Sequence, residues 1–171
     1  MPQSEAPVES LAELNIESET ELVNIWSNIY FIQTNKLTAN SQFFARALEV
    51  PMVEKRERKV MIKEIEGSIF EKVVKFITEG SFLFNVDTEA CEALEASDRL
   101  DMKELKEKVC DAIKNKLDPD NAKAVASLAE RFSAKQLFKA AFDFMQKNEI
   151  KLEKEDVVEN PSLVLAFIEG Y

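Results

Sequence analysis

Only three short stretches of this chain carry the density of β-branched and aromatic residues expected of strands, and nearly all the rest reads as helix. The runs Leu-Val-Asn-Ile-Trp and Ile-Tyr-Phe-Ile-Gln flank Ser27-Asn28, the pattern of a hairpin across a two-residue turn. A third run, Lys-Val-Met-Ile, follows a helical segment. The prediction is one small mixed sheet built from residues 22–26, 30–33 and 59–62 and wrapped by helices, an α+β fold with an α-helical tail.

The helices announce themselves by period and punctuation. Leu37, Asn40, Ser41, Phe44, Ala47 and Leu48 fall on one helical stripe that Pro51 ends. Ser68 and Glu71 have capping-box spacing ahead of Ile69, Phe70, Val73, Val74, Phe76 and Ile77, and Gly80 supplies the stop. A second helix covers Asp87 to Leu100. Asp101 and Glu104 are spaced to box a third, which turns Met102, Leu105, Val109, Ile113 and Leu117 inward. Asp118-Pro119 then marks a break, an N-cap aspartate before proline at the first helical position. Beyond it, small apolar residues suit close helix packing, Ser133 and Gln136 are spaced to cap another helix, and Asn160-Pro161 opens a last one. The expected core contains Leu37, Phe44, Val60, Ile62, Phe70, Val73, Phe76, Leu94, Leu105 and Val109.

Composition narrows function more than it narrows the fold. The 171 residues contain no histidine, which removes Ser-His and Cys-His nucleophile pairs and the common zinc sets together. Three scattered glycines cannot form a phosphate-cradling loop, and with 32 acids any carboxylate pair reads first as a solvated face. No catalytic constellation, cofactor site or metal site is expected. The formal charge of −10 repels phosphate backbones, and the one basic cluster (Lys55, Arg56, Arg58 and Lys59) has no neighbouring aromatics, so no nucleic-acid partner is expected. No apolar run approaches membrane-spanning length and the first ten residues lack a secretory pattern, so the expectation is a soluble, cytoplasmic or nuclear protein with no membrane partner. Cys91 and Cys110 read as small core residues.

The order of these segments resembles the BTB/POZ family. Ala-Asn-Ser-Gln-Phe-Phe-Ala-Arg-Ala-Leu (39–48) is similar to the start of that family's helical half, and residues 60–80 to its strand, turn and glycine-closed helix. Ala96, Leu100, Met102, Leu105 and Cys110 fall where its paired helices expect them. Residues 117–145 resemble the 3-box and first BACK helices that follow the BTB fold in speckle-type and kelch-like cullin-3 adaptors. The resemblance spans roughly 22 to 168 and implies three parts. These are a tail with a short dimerisation segment (1–20), a BTB/POZ domain (21–118) and 3-box/partial BACK helices (119–171).

That resemblance gives a meaning to an odd loop. After Pro51 stand Met52-Val53-Glu54 and a block of charge. Cullin-binding members carry an apolar-x-Glu signature there: an exposed apolar knob is buried only by a partner, and the glutamate fixes orientation. The implied cullin contacts are Leu48, Met52, Val53 and Glu54, with a groove between the BTB and 3-box helices beside them. The implied partners are the cullin-3 N-terminal region, a second copy of the chain through Leu11, Leu14, Leu37 and Asn40, and an unidentified substrate or substrate-reading protein. The expected role is a substrate adaptor of a cullin-3 ubiquitin ligase rather than an enzyme. The alternative is an oligomerisation scaffold that binds no cullin. No MATH or kelch substrate reader is expected within the 171 residues. Thr20, Thr34 and Thr78 depart from the family pattern. The first two stand where its dimer-seam charged residues fall, and Thr78 stands where an aromatic precedes the helix-ending glycine.

Overall fold

The computed structural model describes residues 20–25, 28–49, 59–62, 65–152, 161 and 164–165. Within them lie strands β1 (Thr20–Ile25), β2 (Asn28–Gln33) and β3 (Lys59–Ile62). The helices are α1 (Thr34–Asn40), α2 (Gln42–Glu49), α3 (Gly67–Glu79), α4 (Val86–Arg99), α5 (Lys103–Lys114), α6 (Ala122–Arg131) and α7 (Lys135–Lys147).

The sheet order is β2-β1-β3, with β1 antiparallel to β2 and parallel to β3. A parallel neighbour requires a crossover, and here α1 and α2 lie between β2 and β3 in the chain. The register sets Val23 beside Val60 and Ile25 beside Ile62. Val60 and Ile62, two residues apart and so on one face, are both buried, as is Ile32 on β2. The hairpin connection lies one residue earlier than expected: Asn28 belongs to β2 and pairs with Ile25, and residues 26 and 27 fall outside the described residues.

All ten expected core residues are buried. Ile69, Phe70, Val73, Phe76 and Ile77 of α3 meet Ala93 and Leu94 of α4 and Leu105, Val109 and Ile113 of α5 in one apolar cluster that continues into α6 and α7. On α6 the buried residues are Ala122, Val125, Ala126 and Ala129, small enough for close approach to α7. α7 returns Leu137, Ala141, Phe142 and Met145 to the same cluster and also packs on α5. The cysteines correct an expectation, since Cys91 and Cys110 are half-buried at the edge of the cluster rather than inside it.

The expected single helix over 37–48 is two. Ser41 is extended (φ −143°, ψ 121°) and breaks the segment. Its hydroxyl, 1% exposed, donates to the Leu100 carbonyl at 2.5 Å and accepts from the Phe44 N–H at 3.2 Å, capping α2 from inside the core. The periodicity is unbroken because the break falls on an inward position, so the pattern alone could not reveal it.

Three expected capping boxes do not form. α3 is entered from Glu66, and the Ser68 hydroxyl donates to the Glu66 carboxylate at 2.8 Å. Asp101 (φ 47°) and Ser133 (φ 52°) are left-handed and close the preceding helix instead of opening the next. The Met102 N–H reaches the Ser97 carbonyl and the Asp101 N–H the Asp98 carbonyl. The same pair of bonds recurs from Ala134 to Ala129 and from Ser133 to Glu130. Those turns leave Met102 and Ala134 as the N-cap residues. Gly80 (φ 73°) ends α3 as expected, and Asp118 does cap: its carboxylate accepts from the N–H groups of Asp120 and Asn121. Regular helix α6 begins only at Ala122.

Ser41→Ala should therefore cost about 2–3 kcal/mol, because it removes a helix cap and leaves a buried carbonyl and N–H unbonded. Urea denaturation read by circular dichroism checks this; a change under about 0.5 kcal/mol would mean that the Ser41–Leu100 bond contributes nothing.

Candidate protein-interaction surface

The direction in which α2 leaves the core is set by the turn between α4 and α5. The Gln42 N–H donates to the Asp101 carbonyl at 3.2 Å, and the Arg46 guanidinium pairs with the Asp101 carboxylate. These bonds join the start and the middle of α2 to residues some sixty positions away in the chain. The segment that α2 feeds, with Met52, Val53 and Glu54, lies outside the described residues. Leu48, the fourth expected partner contact, is 8% exposed and belongs to the core cluster, so it braces the end of α2 from beneath.

The expected self-association residues divide the same way. Leu11 and Leu14 lie outside the described residues. Leu37 is fully buried in its own chain and presents no surface to a second copy. Asn40 is half-buried, and its side-chain amide donates to the Lys36 carbonyl at 2.8 Å, one turn back.

An apolar surface that the sequence reading did not single out lies between α3 and α4. Leu83 is 81% exposed, and the flanking Phe82 and Phe84 are half-buried with ring centroids 5.3 Å apart. Three consecutive large apolar residues between a glycine stop and an asparagine cap were the available signal. Their run is too short for a period and too exposed to be core.

This loop is held at its far end by charge. The Asn85 side chain accepts from the Asp87 N–H at 3.0 Å, and the Asn85 N–H donates to the Glu89 carboxylate at 2.8 Å. Lys72 of α3 pairs with the same carboxylate. The lysine's hydrogen bond, followed by that from the Asn85 backbone, holds the Glu89 carboxyl below its ordinary value of 4.5. Burial pushes both cysteine thiols up, which keeps them protonated and unreactive at neutral pH.

Beyond these sites, a groove of about 460 Å³ runs between α5 and α7, floored by Leu117, Ala140 and Phe144 and edged by lysines. No cluster of metal-ligating side chains occurs among the described residues, and no described helix is long and apolar enough to cross a membrane.

A hairpin, a crossover to a parallel third strand and a nest of paired helices together describe a known family, and the family comparison decides which. The BTB/POZ domain profile matches residues 30–117, just over half of the 171-residue chain. The chain belongs to the BTB/POZ family. The match ends immediately before Asp118-Pro119, so α6 and α7 follow the BTB domain. Among solved structures, the zebrafish PATZ1 BTB domain is similar over 55% of this chain and 74% of its own, at 16% identity and a TM-score of 0.47. The human gigaxonin BTB domain is similar over 65% of this chain and 98% of its own, at 19% identity and a TM-score of 0.48. BTB domains are protein–protein interaction modules, so the surfaces of this one are candidate places for partners.

The lowered Glu89 carboxyl sets the sign of a pH effect on the loop that carries Leu83. Its stabilisation is fully present above the ordinary value of 4.5 and is lost as pH falls through the lower folded value. Glu89→Gln should therefore be less stable than the parent at neutral pH, with the difference shrinking on acidification. Urea melts of both proteins across the acid range check this, and a difference that stays constant with pH would contradict it.

Proposed function

We propose that this BTB protein is a substrate-adaptor component of a cullin-3 ubiquitin ligase. The observation that carries the reading is that Met52-Val53-Glu54 follows α2 of a BTB domain in the sequence, the position at which cullin-binding members of the family carry an apolar-x-Glu signature. The bonds from Asp101 and Leu100 to α2 support it, because they deliver that run from a rigid base. An adaptor performs no chemistry of its own. It raises the effective concentration of a captured protein near the ligase.

The energetics make the reading testable. A buried apolar side chain is worth about 1.5–3 kcal/mol and a charge-assisted hydrogen bond roughly as much again. Met52→Ala combined with Glu54→Lys should weaken binding to the cullin-3 N-terminal region by at least about a hundredfold while leaving the thermal melt near that of the parent. Titration calorimetry with both proteins decides it. A double variant that binds normally, or a parent that does not bind, would remove the adaptor reading.

A second reading, an oligomerisation scaffold, is favoured by one observation: the exposed Leu83 with Phe82 and Phe84 beside it is an apolar patch that a second copy would cover. On that reading Leu83→Asp converts a dimer to a monomer by light scattering across a dilution series. An unchanged mass for the variant, or a monomeric parent at tens of micromolar, excludes the patch as the dimer contact.

A further inference from the structure

We draw no further inference here: the strongest candidate, the exposed Leu83 with Phe82 and Phe84 in the loop between α3 and α4, belongs to the surface already described as a contact for a second copy, and nothing in the structure shows what else would cover it.

Discussion

The buried hydroxyl of Ser41 is the junction on which the two halves of the BTB domain depend. It donates to Leu100 at the end of α4 and accepts from Phe44 in the first turn of α2, so one side chain serves two backbone groups that water cannot reach. Around it, the Asp101 carbonyl takes the Gln42 N–H and the Asp101 carboxylate takes Arg46. The turn between α4 and α5 thereby becomes the seat of α2. The strand-bearing half of the chain is locked to the helical half at the start of α2.

The same turn shows how the helices are joined. Asp101, Ser133 and Glu149 each occupy the left-handed region after a helix, a conformation that costs a non-glycine residue about 1–2 kcal/mol. In each case two backbone bonds close the helix end across it, and a buried or half-buried residue follows (Met102, Ala134 and Ile150). The burial and the bonds offset the strain. Lys106 adds a cross-tie: its ammonium donates to the Asp98 carboxylate and to the Phe132 carbonyl, each at 2.6 Å, linking α4, α5 and the turn after α6. The helical pair α6–α7 is consequently an extension of the BTB core, and the α5–α7 groove has two fixed walls.

Charge is distributed with the same economy. The exposed ion pairs on α4 and α5 (Arg99–Glu95 and Lys108–Glu104) follow helical spacing and contribute little individually. Lys72–Glu89 differs, because the carboxylate also takes the Asn85 backbone and so ties the apolar Phe82–Phe84 loop to two helices. The neighbouring acid Glu92 has one buried carboxylate oxygen without a hydrogen-bond partner, and nothing in the structure explains it.

Period and composition alone determined the class of this protein: three strands, helices with inward-facing stripes, a core of ten correctly placed residues, and no histidine with which to build the usual active sites. These are properties of neighbours in the chain, where side-chain spacing maps directly onto a buried face. Only the tertiary structure decided how helices begin and end. Ser68, Asp101 and Ser133 have the spacing of caps, yet the two left-handed turns give the cap position to the next residue, and Ser41, read in the sequence as one position of a helical stripe, caps α2 through contacts made by the fold. It also decided which apolar residues face outward. Leu48, expected at a partner contact, is enclosed in the core cluster, whereas Leu83 is left open. The charge of a groove belongs to the same class: Lys114 lies 25 positions from Lys139, and only the packing of α7 on α5 makes them one surface.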